Sequence, residues 1–533
     1  MANRYWVGGT GTWDAINTAN WSATSGGAGG ESVPTAADAV LFNANSGGGT
    51  VTLGVNVDCL TINFSGFTGT FDFSTYDVNV AGNAATIINV TSTIAAVNGT
   101  GKFNCLYAGS TGTRTVIVAT AAIAKAASVS VSAGTDTLTL SSTNQIINLD
   151  FTGFAGTWTT TTTVNIYRNL TLSTGMTVGS LGATIVMAAV TTGNTITSNG
   201  KTIDNSINFN GVGGAWTLQD ALVLGATRTV SLNNGTILLG NNNLTCGLFA
   251  SAVATARGIS TTGGQIYCVS NNATIFNVST ATNLTITGNL TVNCTYSGST
   301  GTRQINAGGA TTYSASNPKL NFNITAGTDI VSLGGGNVFG NVNFTGFTGS
   351  YAFTATDPQF FGDLTFGTGM TGPSSATRSL RLMGTSGTQT ITSNGVTINS
   401  GITCEGGGTY SFADALTQGA TNTFAFTLGT VKLKNGVTST VGVFSASGTT
   451  QKYLQSTLAG SQATLSQASG TVSVSSLTIQ DINATGGASW NAYVDFDNED
   501  AGNNDGWNFG LSPPFAAYEP PIIIRSFTQP RRF

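Results

Sequence analysis

Phe151-Thr-Gly-Phe-Ala-Gly-Thr-Trp158 returns as Phe344-Thr-Gly-Phe-Thr-Gly-Ser-Tyr351. Around it, Ile196-Thr-Ser-Asn-Gly200 returns as Ile391-Thr-Ser-Asn-Gly395, and Trp216-Thr-Leu-Gln-Asp-Ala-Leu222 as Tyr410-Ser-Phe-Ala-Asp-Ala-Leu416. The offsets are 344 − 151 = 193, 391 − 196 = 195 and 410 − 216 = 194. A register held over that distance means that a large unit has been copied. Repeats of one supersecondary unit point to a solenoid, whose stability is summed along one axis. A shorter echo, Phe64-Ser-Gly-Phe-Thr-Gly-Thr-Phe71, precedes both copies. Its closing aromatic is Phe71, Trp158 or Tyr351, as expected of an inward ring that fills one rung with size traded between copies.

Between the motifs the texture is that of short strands. Leu60-Thr-Ile-Asn-Phe64, Val164-Asn-Ile-Tyr167, Leu170-Thr-Leu172 and Leu284-Thr-Ile286 alternate apolar residues with Thr or Asn, and Gly-Asn, Asn-Gly and Gly-Thr pairs separate them. This alternation with regular turn signals predicts an all-β chain. The only helix candidate, Ala122-Ile-Ala-Lys-Ala-Ala127, is too short to stand alone. A parallel β-helix of roughly 20–25 residues per coil would give on the order of 16–19 coils over the uniform region, roughly 80–90 Å of rod at the usual strand spacing. The competing architecture is a string of β-sandwiches. Linkers between such modules would carry Pro, whereas only Pro318, Pro358 and Pro373 fall in the repeat region.

The composition agrees. Of 533 residues 71 are Gly, and charged residues make up 8%, against roughly 25% in ordinary soluble proteins. Mean hydropathy is +0.15, yet no apolar run approaches the roughly 18 residues of a membrane span. Membrane insertion is therefore not expected. Net charge is −4, so nothing is expected to neutralise the phosphates of a nucleic acid. The opening Met1-Ala-Asn-Arg-Tyr-Trp6 is not followed by the apolar stretch of a secretory leader, which favours synthesis and assembly in a cytoplasm. The six cysteines are widely spaced, without a Cys-x-x-Cys pair, and read as free core residues.

The chain divides by texture into four parts. Residues 1–50, with Trp6, Trp13 and Trp21, read as an N-terminal cap that shields the open end of a strand stack. Residues 51–445 are the β-solenoid with its internal duplication of about 194 residues. Residues 446–511, with Trp490 and Trp507, read as terminal coils and a second cap. At 512 the composition breaks. Five of the nine prolines fall in 512–533, together with three isoleucines and four aromatics. A segment that only solvates would not carry them, and Pro-rich stretches are extended and stiff. The reading is a docking arm, with Pro520, Pro521, Ile522, Ile523, Ile524, Arg525, Phe527, Arg531, Arg532 and Phe533 as the contact residues.

Histidine is absent, which removes Ser-His-Asp and Cys-His arrangements and His-liganded zinc. Gly334-Gly-Gly336 lacks the strand–helix context of a phosphate loop and reads as a corner. Two carboxylates would suffice for glycoside hydrolysis. The matched Asp220 and Asp414, however, stand one whole repeat apart and are expected to satisfy backbone at corners. The acidic run Asp495, Asp497, Glu499, Asp500 and Asp505 could hold Ca²⁺, but it has Asp500 where an EF-hand loop needs Gly, and a solvated loop is the favoured reading. No enzyme activity, no catalytic or metal-ligating residue and no cofactor is expected.

The opening Tyr5-Trp-Val-Gly-Gly-Thr-Gly-Thr-Trp13, with Asn20-Trp-Ser22 and Val33-Pro-Thr35, resembles the start of many β-helical structural proteins of tailed bacteriophages, and in style bacterial adhesin β-helices. Ala484-Thr-Gly-Gly-Ala-Ser-Trp490 and Asn504-Asp-Gly-Trp-Asn-Phe509 resemble the endings of the same group. The resemblance covers about residues 1–511. It implies a virion structural protein, a fibre, spike or head-decoration element at the virion surface. Its partners would be other virion proteins, sister chains in a homo-oligomer for which a trimer suits a fibre, and host surface glycans. A glycan-degrading tailspike using carboxylates and a bacterial cell-surface adhesin are the alternatives.

Overall fold

A computed structural model describes residues 2–120, 123–179, 183–271, 273–308, 320–334, 337–353, 356–372 and 378–513. The chain winds as a β-solenoid of about 20 turns, roughly 95 Å of stacked strands at the usual spacing between them. Among the described residues there is no α-helix, and the helix candidate at 122–127 is a single 3-10 turn, Ile123–Lys125.

Strands stack in parallel, each on its counterpart one coil later. On one flank Val40, Ile62, Ile88, Val116 and Leu140 lie in register on consecutive rungs, the ladder passing through Ile88↔Val116 and Val116↔Leu140. On another, Leu244↔Ile266, Ile266↔Val292 and Val292↔Phe322 belong to a stack that runs from Thr202–Ile203 to Glu499–Asp500. One coil takes from 249 − 230 = 19 to 322 − 292 = 30 residues in the repeat region, against 51 − 11 = 40 at the N-terminal end and 507 − 490 = 17 at the C-terminal end. The upper bound exceeds the expected 25 because insertions lengthen corners without disturbing the rungs, and loop-closure cost rises slowly with length. Pairing crosses residues 50 and 445 without a break, through Thr50↔Thr70 and Val431↔Leu454. The architecture is one stack rather than a string of sandwiches.

Alternation sets the core. In Thr137–Leu140, Thr157–Thr160 and Ser350–Phe353 every second side chain points inward, the period-2 rule for strands. The closing aromatics Phe71, Trp158 and Tyr351 are each fully buried, as are Phe64, Phe67, Phe151, Phe154, Phe344 and Phe347 of the same motifs. All six cysteines are free and buried. Cys246, Cys268 and Cys294 stack on three successive rungs.

The repeated Ile-Thr-Ser-Asn-Gly is a corner that ties coils together. Asn199 and Asn394 take φ of 49° and 48°, a left-handed conformation that Asn tolerates. Their side-chain amides donate to the carbonyls of Leu172 (2.6 Å) and Phe366 (2.8 Å) on the preceding coil. Ser198 and Ser393 donate to the carbonyls of Ala221 and Ala415 on the following one. The matched carboxylates stand where expected: Asp220 accepts from the Ser198 N–H (2.7 Å), and Asp414 from the N–H groups of Ser393 (2.9 Å) and Asn394 (2.6 Å).

At the N-terminal end Trp6, Trp13 and Trp21 are fully buried. Trp21 meets Trp6 and Trp13 edge-on at 5.2 and 5.0 Å, and all three rings approach Phe42. Trp21–Ser22 lies antiparallel to Asn3–Trp6 at the outer edge of the stack.

Candidate functional site

Two strands depart from the short-rung pattern. Ser206–Leu218 and Thr229–Gly240 run through a bend and so belong to two flanks at once. Their first halves pair with Thr184–Met187 and Leu248–Ala250, their second halves with Asn194–Thr197 and Arg257–Thr261. The bend falls at Gly213, Gly214 and, one coil on, Gly235. Gly235 has a φ of +77°, and a Cβ there would lie 2.6 Å from the Gly214 carbonyl oxygen. Glycine is required for both reasons.

The bend opens a groove of about 410 Å³, within the range of small-ligand sites. Its floor is the column Ala215, Thr236, Gly258 and Thr285, in register on four rungs. Ser260, Thr287, Thr192 and Asn283 complete the hydroxyl and amide lining, and no carboxylate is among the lining residues. At Gly258 a Cβ would stand 3.0 Å from Thr236 Oγ1, so the glycine keeps the depression open.

Arg257 holds the wall of the groove in place. It is buried, and its guanidinium donates to Ser251 Oγ (2.6 Å), to the carbonyls of Thr255 (3.0 Å) and Thr282 (2.8 Å), and to the carbonyls of Ser251 and Thr280. One planar head thereby fixes two successive corner loops, a task that suits its rigid fork of donors.

A second depression lies past the corner at 190–192. It is formed by two adjoining hollows of about 270 and 320 Å³ that share Thr100, Ser128 and Asn148. Val190 and Thr191 line it, while Thr192 lines the first groove. Its walls carry Lys102, Asp150, Tyr167 and Arg168. The Tyr167 hydroxyl donates to Gln145 Oε1 at 2.6 Å, and burial pushes its phenol above the ordinary tyrosine range. Exposed Ile123 and Val190 give the two hollows an apolar rim.

The ten arm residues, Pro520, Pro521, Ile522, Ile523, Ile524, Arg525, Phe527, Arg531, Arg532 and Phe533, lie outside the described residues. The acidic run is spread along the last coil. Asp495 accepts from the Ser512 N–H (3.0 Å), Asp500 from the Gly502 N–H (3.0 Å) and Asn504 Nδ2 (2.6 Å), and Asp505 from Gln462 Nε2 (2.9 Å). Among the described residues no group of three His, Cys, Asp or Glu side chains is placed to hold a metal ion.

The groove escaped sequence reading. Its signal was the pair Gly213-Gly214 followed by Gly235 one coil later, at an offset close to the coil length. No family model, curated protein or solved structure matches the chain.

Proposed function

We propose that the chain is a structural component of a tailed-phage virion, a rigid β-rod at the particle surface that contacts host glycans. The observation that carries the mechanical part is the parallel stacking of coil on coil among the described residues, around one hydrophobic core. A stack of this kind transmits position along its axis and presents side chains at fixed spacing. The phage setting is supported by the motifs at the two ends, Tyr5 to Trp13 and Asn504 to Phe509. Attachment to a neighbouring virion protein is assigned to the arm at 512–533.

The groove at the strand bend is the surface we assign to glycan contact. Its lining offers hydroxyls, one amide and bare backbone without a carboxylate, and its one charged residue, Arg257, is buried with its guanidinium engaged by the corner loops, which suits a neutral saccharide. Exposed Val212, next in the chain to Gly213 of the lining, offers apolar surface to the C–H face of a sugar ring. The purified chain applied to a glycan array, beside the outward substitutions Thr236→Arg and Thr285→Arg, tests the assignment. Binding to neutral glycans that both substitutions abolish is the expected result. Binding that survives them removes the groove from the proposal. Antibody labelling of phage particles tests the virion role separately, and a chain missing from purified particles refutes it.

A further inference from the structure

The two ends of the rod are finished differently. At the N-terminal end Asn3–Trp6 has an antiparallel partner on its outer side, and three tryptophans are sealed beneath. At the C-terminal end the last strands, Glu499–Asp500 and Trp507–Asn508, pair on one side only among the described residues. An open edge of this kind exposes N–H and C=O groups that invite another strand. Trp507 packs on Trp490 with ring centroids 5.0 Å apart, and its indole N–H is closed off from solvent without an acceptor among the described residues.

Beside this edge lies an apolar shelf. Val494, Phe496 and Leu511 are exposed by 48%, 45% and 75%. Two hydrogen bonds hold the shelf together, Val494 N–H to the Gly510 carbonyl (3.2 Å) and Ser512 N–H to Asp495 Oδ1 (3.0 Å). Along the same coil stand Asp495, Asp497, Glu499, Asp500 and Asp505, all exposed. Between Lys452 and Arg525 the chain has no Lys or Arg.

We propose that residues 514–533 of the same chain lie across this terminal coil, covering its strand edge and apolar shelf. Three observations select that occupant. The described residues end at 513, immediately after the Ser512–Asp495 contact, so the segment begins beside the surface it would cover. Twenty residues reach at most about 66 Å, several times the width of one coil. The charges also complement each other: Arg525, Arg531 and Arg532 against Glu519 give 514–533 a net 3 − 1 = +2, opposite five carboxylates. Phe515, Ile522, Ile523, Ile524 and Phe527 supply apolar surface for the shelf. Proline at 520 and 521 lacks the N–H that an edge position can spare. Tethering favours this contact over one with a second copy, since a short linker sets a millimolar effective concentration. Attachment to a virion neighbour would then exchange a contact within the chain for one between chains. The inference is independent of the groove's ligand.

Amide hydrogen exchange over 495–510 tests it in three proteins: the full chain, a chain ending at 513, and the full-length triple variant Arg525→Glu, Arg531→Glu, Arg532→Glu. The expected result is that amides in 499–508 exchange about tenfold faster in both altered proteins than in the full chain, while rungs before residue 440 are unchanged. Protection in the full chain should not vary with concentration. Equal exchange in all three proteins overturns the proposal. Protection that fades on dilution also overturns it, by assigning the contact to the arm of a second copy. The triple variant keeps the chain length, so the result stands even if the shortened chain fails to fold.

Discussion

Arg114 and Asp136 form a two-pronged ion pair in the core: Nε to Oδ2 and Nη2 to Oδ1 are both 2.7 Å, and neither side chain is exposed to solvent. The guanidinium lies between the rings of Tyr107 and Phe154, at 5.3 and 5.7 Å from their centroids. The second copy of the repeat reproduces the whole arrangement with Arg303, Asp329, Tyr296 and Phe347, and with the same 2.7 Å contacts. In both copies the Arg Nη2 also donates to a corner carbonyl, of Ala133 and Ala326, beside glycines with φ of 103° and 104°. A chain with so little charge has twice placed a charged pair where removing water from it costs most.

Removing one partner leaves an unpaired buried charge. Asp136→Asn is expected to destabilise the coil by about 3–5 kcal/mol, whereas the paired change Arg114→Met with Asp136→Leu is expected to cost far less. A double-mutant cycle measured by urea unfolding checks both. Because each coil contacts mainly its neighbours, hydrogen exchange should rise around 107–158 and stay unchanged around 296–351.

The inward ring of the duplicated motif gives a graded prediction. Trp158 occupies the position taken by Phe71 and Tyr351 elsewhere in the chain, and all three are buried. Trp158→Phe is expected to cost about 1–2 kcal/mol, and Trp158→Ala about 3–5 kcal/mol. Thermal unfolding resolves the difference. Equal costs would mean that the rung does not close around a smaller ring.

The six thiols are expected to be inert in the folded protein. Burial pushes Cys105 up to about 12, and Cys59 and Cys404 higher still. The thiolate is the reactive form, so a thiol-specific reagent at pH 8 should modify none of the six until denaturant is added and then all of them. Prompt reaction of the stacked Cys246, Cys268 or Cys294 in the native protein would show that this part of the stack opens.

Much of the fold was legible because a solenoid writes its geometry locally. The alternation in Thr157–Thr160 and the corner residues at 196–200 each report one rung, and duplication confirms the reading at 350–353 and 391–395. The matched Asp136 and Asp329 were legible as equivalents. Their partners were written beside them, in the repeated Gly-Ser-Thr-Gly-Thr-Arg ending at Arg114 and Arg303, but sequence does not say that a distant arginine turns inward. The groove was hidden for a different reason. It depends on Ser206–Leu218 and Thr229–Gly240 passing through a bend without breaking, which is decided by how neighbouring coils stack. Arg257 was equally hidden, since its partners lie in two loops brought together only by the winding.

Lys452 offers a test in which the sign of the pH dependence matters. It points inward from Lys452–Ser456, between Gly429 and Leu477 on adjacent rungs, and its Nζ donates to the Thr450 carbonyl at 3.0 Å. The side chain has no solvent exposure, and desolvation holds its pKa below the ordinary lysine value. The unfolded chain therefore binds the proton more tightly than the folded one. Between the folded pKa and the unfolded value of about 10.4, the unfolded state carries more protons, so this residue's contribution to stability rises with pH across that window. Below the window the folded state bears the full cost of a buried ammonium. Lys452→Met keeps the length of the stem and removes the charge, and it is expected to raise the unfolding midpoint at pH 7. The gain over the parent chain should shrink toward pH 11, where the lysine is neutral in both states. A gain of the same size at both pH values would show that the methionine acts through packing alone and that the ammonium is not held at a cost.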